Sequence, residues 1–598
     1  MATILQPSEG LISFDILIKG SPVKDVVEII EIDTQMEVNR IASATIIVAD
    51  GGAIGLINEP FSNSEGSDFI PGNEIEIKLG YESKNTSVFK GIIVSQRISV
   101  RDGNSQLEIK CVDKAVQMTK GRLNAIFEKK KDSEAISSIA KNYGIQATVD
   151  ATTTELPVLM QYNCADWDFV VIRAEMNDMM VITNKNNLIV KKYDLSKSPE
   201  FEINASQFVI DIDLILDSEN IAGKYITTGW DDTVQNINSE TTALSDSLKH
   251  GNITAGKLSD VAFKGDSNNY SSATILKDEL KSWGQSLANK AVLSKIRGTI
   301  KVPGTANIIA GDIVEISGFT ARFNGNAFVS AVSHSVQDGT WITTLQIGKS
   351  PDWHSALPDV QDVNASGLLP ATNGTQIATV KKIIEDPDNN YRVLVELPSF
   401  TGTGQDIGLW ARLAFPYASG DAGFFFFPEI GDEVLVTFMN NDPRFPVITG
   451  ALYNQKNKPK ETPDDKNQFK SIYSKSGISI KFDDEDKILV IETPGKNTFT
   501  LDDENKTISV KDMNENTLTM DDSGIALKSA NDIKLTATGN IDISGDGGVN
   551  IKSSADVGIK GMNVKAEADT GFTAKGNATA EVSASGQTTI KGGMVMIN

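Results

Sequence analysis

The 598-residue sequence has very few of the residues from which compact reactive sites are built. It contains two cysteines, Cys111 and Cys164, and three histidines, His250, His334 and His354. Two cysteines cannot form a disulfide scaffold, and we expect both to be buried, inert thiols. Three histidines in so long a chain leave little room for histidine-based metal or acid–base chemistry. No G-x-S-x-G, HExxH, CxxC or P-loop pattern is present.

Positive charge and long apolar runs are also scarce. The chain has 79 acidic against 56 basic residues, a net charge of −23. Because such a surface repels phosphate backbones and anionic lipid headgroups, we expect no nucleic-acid binding. No stretch approaches the roughly 18 consecutive apolar residues of a membrane-spanning helix. The amino terminus lacks the basic and apolar regions of a secretory signal, so we expect synthesis in the cytoplasm without a signal peptide.

What is present points to a multidomain protein that is mainly β with an α+β insertion. At roughly 150 residues per domain the length suggests about four domains. Residues 1–120 alternate apolar and polar positions between Gly- and Asn-rich turns, which predicts a first β-barrel. Residues 121–232 carry two helical patterns among strands and form the insertion. We expect a polar, mobile loop over 233–272, and a helix plus a second β-barrel over 273–355.

The amino-acid composition changes at two points in the middle of the chain. A Pro-, Asn- and Gly-rich linker covers 356–375, and residues 376–455 form a compact unit whose short strands predict a five-stranded OB-type barrel. Within it lies the strongest apolar run, Phe424–Phe427. We interpret this run as a core strand that packs under the barrel and against neighbouring chains, rather than as a base-stacking platform.

In the last part of the chain, 472–598, pairs of apolar residues recur every eight positions from Ile525 onward. The spacing shortens once to seven, at Val564 and Ala566, and then resumes. Apolar residues at i and i+2 face one side of a strand, and polar or Gly residues then turn the chain. Each repeat is therefore one strand and one corner, as in a β-helix. The predicted inward-facing needle core is Ile525, Leu527, Ile533, Leu535, Ile541, Ile543, Val549, Ile551, Val557 and Ile559.

One chain with two inward residues per strand would enclose too thin a core. We therefore predict a homotrimer with an intertwined, triple-stranded β-helix, a needle on the order of 65 Å long. Upstream of the repeats of eight a looser period of 19 appears, where residues 497–503 are echoed by 516–522. A disordered tail or a calcium-binding repeat helix fits this pattern less well. Acidic clusters at 483–486, 502–504 and 521–522 are expected at solvated turns rather than in a glycosidase site.

The unit at 376–455 closely resembles the OB-type domain of VgrG and of contractile phage-tail spike proteins. The resemblance rests on a DP turn, the sequence W-A-R, the run P-E-I-G-D-E-V-L-V and the run D-P-R-F-P-V-I-T-G. A looser resemblance to the tail-hub part of the same family covers 161–169 and 173–175. The OB-family motif residues are Asp386, Pro387, Trp410, Arg412, Pro428, Glu429, Gly431, Asp432, Asp442, Pro443, Pro446 and Gly450.

The resemblance implies a trimeric spike and baseplate hub at the tip of a contractile injection system, similar to type VI secretion. Its two hub barrels per chain would form a pseudo-sixfold ring that matches a hexameric, Hcp-like inner tube. A PAAR-repeat protein would cap the needle at Met594, Val595, Met596, Ile597 and Asn598, and baseplate proteins and effectors would be further partners. The function would be mechanical, with no catalytic residue, cofactor or metal, and with membrane contact only during puncture before ejection from the cell.

A receptor-binding tailspike that degrades polysaccharide is the alternative. That function would need long single-chain coils and a groove lined by carboxylates. The sequence does not distinguish a type VI system from a phage tail or an extracellular injection particle.

Overall fold

The computed structural model describes residues 2–5, 10–24, 26–51, 61–101, 104–358, 360, 363–400 and 408–597. The chain divides into two compact units, Met1–Leu452 and Tyr453–Asn598. Strands account for 41% and helices for 11% of the structure, which confirms the prediction of a mainly β protein. Of the helices in these ranges, none is both long and apolar enough to cross a membrane.

The first part of the larger unit, residues 2–358, is here called the hub region. Its first strands are β1 (Thr3–Ile4), β2 (Ile12–Ile18), β3 (Ser21–Pro22), β4 (Ile29–Glu37), β5 (Ser43–Ala49), β6 (Glu74–Tyr81), β7 (Lys84–Arg101) and β8 (Asn104–Val112). The insertion contains β9 (Leu123–Lys131), α1 (Asp132–Asn142), β10 (Gln146–Val149), β11 (Glu155–Cys164), α2 (Asp166–Met176), β12 (Met179–Asn184) and β13 (Asn187–Lys192). The remaining elements are β14 (Phe201–Asn204), β15 (Asp211–Leu216), β16 (Lys224–Asp231), β17 (Asn236–Ala243), α3 (Ala255–Leu258), β18 (Ser267–Thr274), α4 (Lys277–Ser294), β19 (Ile296–Pro303), β20 (Ile313–Ser317), β21 (Gly325–Gln337) and β22 (Thr340–Ile347).

Fourteen of these strands belong to one connected sheet. Its order is β1-β14-β20-β21-β4-β5-β8-β7-β6-β2-β3, and β22, β19 and β15 extend it from β21. One apolar core lies among β2 and β4–β8 and includes Ile32, Ile46 and Ile109. A second lies among β14 and β19–β22 and includes Ile300 and Leu345. Because β21 pairs with β4 and joins the two strand groups, closure into two separate hub barrels stays a prediction.

The segment 233–272, predicted as a polar mobile loop, contains regular structure. β17 pairs antiparallel with β16 over its whole length, and β18 pairs parallel with β16 on the other side. Helix α4 packs on this sheet, where the Thr227 hydroxyl donates a hydrogen bond of 2.8 Å to the Leu280 carbonyl. The loop prediction is therefore wrong for both strands. Their Thr, Ser and Asn residues lack apolar alternation, and the pairing with β16 decides their conformation.

Residues 376–451 fold into a closed five-stranded barrel, which confirms the predicted OB-type architecture. The strands are β23 (Gln376–Lys382), β24 (Val393–Glu396), β25 (Leu409–Leu413), β28 (Glu433–Phe438) and β29 (Pro446–Ala451), in the order β23-β24-β25-β29-β28. The short hairpin of β26 (Ala418–Ser419) and β27 (Ala422–Gly423) lies between β25 and β28 in sequence. Small β-branched residues fill the barrel, among them Val380, Val395, Val434 and Val436.

The second unit contains a seven-stranded antiparallel sheet in simple chain order. Its strands are β30 (Phe469–Tyr473), β31 (Ser479–Asp483), β32 (Ile488–Glu492), β33 (Thr498–Asp502), β34 (Thr507–Lys511), β35 (Thr517–Asp521) and β36 (Gly524–Lys528). The prediction of an intertwined β-helix from residue 472 is therefore wrong up to residue 528, because these strands pair within the chain. The 19-residue period is one hairpin, two strands with two short turns. Residues 530–597, among those described, contain no assigned strand and are all exposed.

Candidate functional site

From β31 to β36, one face of the seven-stranded sheet is apolar, and this part of the face is here called the apolar face. On β30 the same side carries Lys470 and Ile472. Alternate residues of a strand point to the same side, and the pairing keeps apolar residues opposite one another. For example, Leu489 lies between Phe482 and Leu501 on neighbouring strands. The face consists of Ile480, Phe482, Leu489, Ile491, Phe499, Leu501, Ile508, Val510, Leu518, Met520, Ile525 and Leu527.

The opposite face of the same strands is mainly polar. Thr500 pairs with Ser509, which pairs with Thr519. A sheet with one polar and one apolar face is stable only when the apolar face is covered. In the single chain the apolar face stays open to solvent, since Phe482, Val510 and Leu527 are exposed by 41%, 42% and 60%. Continuous exposed apolar surface of this extent is typical of a protein–protein interface.

The predicted needle core continues directly from this face. Ile525 and Leu527 lie in β36 opposite Met520 and Leu518, so both belong to the apolar face. The other eight predicted core residues follow in the part of the chain without assigned strands. The exposed fractions of all ten lie between 52% for Val549 and 74% for Ile559. Within one chain they form no core, and their inward orientation stays a prediction.

Ten apolar-face residues upstream of Ile525 are not among the predicted core residues. The signal is nevertheless in the sequence: runs such as F-T-L at 499–501 and L-T-M at 518–520 have the same i, i+2 pattern. They recur every 19 residues because a hairpin returns to the same position after two strands. The acidic clusters at 483–486, 502–504 and 521–522 form hairpin turns on this sheet, as expected for solvated turns.

The OB-family motif residues hold the turns of the barrel. Asp386 accepts backbone hydrogen bonds from Asp388, Asn390 and Arg392, at 3.2, 2.7 and 3.1 Å. The Arg392 guanidinium also binds Asp386, with Nη2 at 2.6 Å from Oδ1. This ion pair and the backbone donors lower the pKa of Asp386 well below its ordinary value. The DP turn is thus closed by one carboxylate that receives several donors.

The later motif residues act in the same way. Asp442 accepts from the Arg444 backbone N–H at 3.0 Å and from its Nη2 at 2.6 Å, and this lowers the pKa of Asp442. Asp432 accepts from the Glu429 N–H at 2.8 Å. The backbone φ angle of Gly431 is +94°, a left-handed conformation that glycine adopts more easily than other residues. Trp410 and Arg412 lie in β25, Pro446 and Gly450 in β29, and Pro387, Pro428 and Pro443 in connecting turns.

The apolar run 424–427 departs from its interpretation as a core strand. Phe427 packs against the barrel core, but Phe424, Phe425 and Phe426 are exposed. Phe424, Phe426 and Phe427, with neighbouring residues of β25 and β29, line a cavity of about 380 Å³. The rings form two tilted pairs, Phe424 with Phe426 and Phe425 with Phe427, and exposed aromatic rings of this kind indicate an interface rather than a completed core.

The hub motif at 173–175 forms a buried polar network. Glu175 and Lys290, both almost fully buried, are paired at 2.8 Å. Glu175 also accepts from Asn39 Nδ2 at 3.0 Å and from the His354 backbone N–H at 2.8 Å. Burial lowers the pKa of Lys290 to about 8, although the Glu175 carboxylate opposes this shift. The network joins α2, α4 and the segment that leads toward the barrel.

Of the two thiols that were expected to be buried, Cys111 is buried and Cys164 is only partly buried. Burial raises the pKa of Cys111 to about 12, and Cys164, half-buried, also has a raised pKa. Burial lowers the pKa of His250 and of His334 to about 4. Over the ranges that the structure describes, no group of three or more His, Cys, Asp or Glu residues is arranged to hold a metal ion.

Two family models match the chain. The Alg8 N-terminal domain matches residues 8–338, more than half of the chain, and the "Type VI secretion system/phage-baseplate injector OB domain" matches 376–453. The chain belongs to the Alg8 N-terminal domain family and to the VgrG and contractile-tail spike family. This confirms the resemblance that the OB motifs indicate.

Relatives of this VgrG-family chain include the type VI secretion system spike protein VgrG1a of Pseudomonas aeruginosa. The two are 28% identical over 211 residues, which cover 32% of this chain and 32% of the relative. The match thus spans about a third of that relative. A solved E. coli component of the type VI secretion system is 12% identical, with a TM-score of 0.37, over 73% of this chain and all of that one. The half-lidded PdpA–VgrG complex of Francisella gives 12% identity and a TM-score of 0.38, over 87% and 88% of the two chains.

Proposed function

We propose that three copies of this chain associate through the apolar face, and that the trimer is the spike and baseplate hub of a contractile injection system. The observation that carries the proposal is the continuous apolar face from Ile480 to Leu527, uncovered in the single chain. Three such sheets with their apolar faces turned inward form a triangular prism whose axis is filled by Ile, Leu, Phe and Val. Each sheet then exposes its Thr- and Ser-rich face to water.

Beyond Lys528 the three chains wind around one another. The spacing of eight keeps two apolar residues per strand at the same phase as Ile525 and Leu527, so the axis of the prism continues into the coil. Each strand pairs with strands of the other two copies, which satisfies its backbone donors and acceptors and leaves no open edge. The result is a stiff needle that needs no disulfide.

The hub region supplies the docking end of the spike. Two strand groups, each with its own apolar core, give six similar groups in a trimer, which suits a hexameric, Hcp-like inner tube. At the other end Met594, Val595, Met596 and Ile597 are exposed and would contact a PAAR-repeat tip protein; Asn598 lies outside the described residues. Baseplate proteins and effectors complete the set of proposed partners.

The work of such a protein is mechanical. Contraction of a sheath would drive the needle through a target envelope, and the protein would leave the producing cell through the apparatus. We propose that it is not an enzyme. The family motif residues support this, since Asp386 and Asp442 close turns and Glu175 is held by a buried cation.

Light scattering on the full chain at micromolar concentration tests the proposal. We expect three times the chain mass of 64.5 kDa. The variant Phe499→Asp, on the apolar face, is expected to lower that mass, whereas Thr500→Asp, its neighbour on the polar face, is expected to leave it unchanged. A monomeric wild type would overturn the proposal. A saccharide-hydrolysis screen completes the test, because a monomer with depolymerase activity would establish the tailspike alternative.

A further inference from the structure

The sheet shows which residues of the first repeat of eight lie on its polar face. In β36 Ala526 lies opposite Thr519, and Lys528 lies opposite Thr517, both on the polar face. On the needle proposed above, the following repeats keep the phase of β36, which places the residue after each second apolar position on the outward side. Across the repeats this outward column contains Lys552, Lys560, Glu567 and Lys575 in succession.

The column crosses the one place where the repeat shortens. Val557 and Ile559 are followed seven residues later, not eight, by Val564 and Ala566. An uninterrupted spacing of eight would place Lys565 and Glu567 toward the axis, because a one-residue slip moves every side chain to the other face. In a trimer that slip would bury three ammonium groups and three carboxylates.

On the trimeric needle proposed above, we infer that Glu567 of one copy lies between Lys560 and Lys575 of neighbouring copies and forms a charge clamp. In three intertwined chains each repeat lies on the preceding repeat of a neighbour, about 4.8 Å away and at the same phase. Residues of one outward column are then direct neighbours. The clamp holds the shortened register with opposite charges, whereas the two inward residues there, Val564 and Ala566, are small.

The single chain leaves the partners of this clamp available. Glu567 pairs with Lys565 of its own chain, two residues away on the same outward side. Over the described ranges neither Lys560 nor Lys575 has an ion pair. Lys552 is the next residue of the column beyond Lys560. Because both are positively charged, Lys552 would repel Lys560 and is not part of the clamp.

Charge reversal in the full chain tests the inference. Glu567→Lys is expected to lower the melting temperature of the trimer by several degrees. Glu581→Lys is the matched control, because its column neighbours are the uncharged Thr573 and Thr589, and it is expected to have no effect. Lys552→Glu should have the opposite sign and raise the melting temperature, since it converts a like-charged pair into an attractive one. All differences should shrink in high salt.

Two further measurements keep the inference separate from the trimer itself. Light scattering of the wild type tests the proposed function; a monomer there overturns both. If the wild type is a trimer and the two Glu→Lys variants melt alike, the clamp is wrong and the trimer stands. Where Glu567→Lys fails to fold, Glu567→Gln against Glu581→Gln gives the same contrast, and equal melting of that pair overturns the clamp.

Discussion

Both units of the chain contain strands in which apolar and polar residues alternate, but only the first unit buries the apolar side of these strands. Strands of the hub region and of the OB barrel alternate apolar and polar residues, and their apolar side is buried within the chain at Ile46, Ile109 or Val436. Strands of the C-terminal unit alternate in the same way, yet their apolar side is exposed. The difference teaches that alternation predicts a two-faced sheet but not what covers it. Within the single chain the first unit buries the apolar faces of these strands, whereas the second unit leaves its apolar face uncovered.

The largest effect is expected from a substitution that destabilises only the second unit. Ile543→Asp would place three carboxylates near the needle axis without partners, which three chains cannot accommodate. We expect loss of the intertwined needle, measured as a lower melting temperature and a smaller mass by light scattering. Ser544→Asp, one residue further on the outward side, is the control. A trimer with unchanged melting in the Ile543 variant would show that this residue does not face the axis.

An intermediate effect concerns only the first unit. Lys290→Met removes the cation buried beside Glu175 and should cost about 3–5 kcal/mol of unfolding free energy, because an unpaired carboxylate stays buried. Lys277→Met removes a cation from the same helix, but Lys277 pairs with Glu240 at the surface. The loss of unfolding free energy should therefore be below about 1 kcal/mol. Denaturant titration of both variants measures the difference. Equal costs would contradict the buried role of the pair.

The smallest effect is a pH-dependent change in the stability of the OB barrel. Asp386 has a lowered pKa in the folded state, so its carboxylate stabilises the fold above the ordinary pKa of Asp, near 4. This contribution is lost as the pH falls through the lowered value. Asp386→Asn should therefore reduce the melting temperature at neutral pH, with a deficit that shrinks in strong acid. Asp388→Asn, which removes an exposed partner of Arg392, should show a smaller deficit.

The sequence predicted much of this fold because the relevant signals are local. Turn residues, the DP motif and alternating strands located the five-stranded barrel, and the family resemblance followed from motifs such as W-A-R at 410–412. The features that the sequence did not predict are contacts between residues far apart in the chain. The pairing of β21 with β4 joins residues some 300 positions apart, and no local pattern records it. The Thr- and Asn-rich strands β17 and β18 are specified by β16 rather than by their own composition.

The candidate site was predicted in part for a related reason. The spacing of eight is regular from Ile525 to Ile559, so the sequence assigns Ile525 and Leu527 to the apolar side. The upstream strands repeat every 19 residues, and that spacing describes a hairpin rather than one turn of a coil. The residues Phe499, Leu501, Leu518 and Met520 therefore belong to the same face through a different connection of the chain.

The regular spacing at the carboxyl end has a consequence for evolution. In the needle proposed above, each repeat would add one strand width, about 4.8 Å, so that adding or deleting a whole repeat would change its length and leave its cross-section intact. Losing a single residue instead rotates all later side chains unless local chemistry absorbs the change. If the proposed needle forms, whole-repeat insertions and deletions would let its length change in steps of one strand width without any change in the sequence at either end.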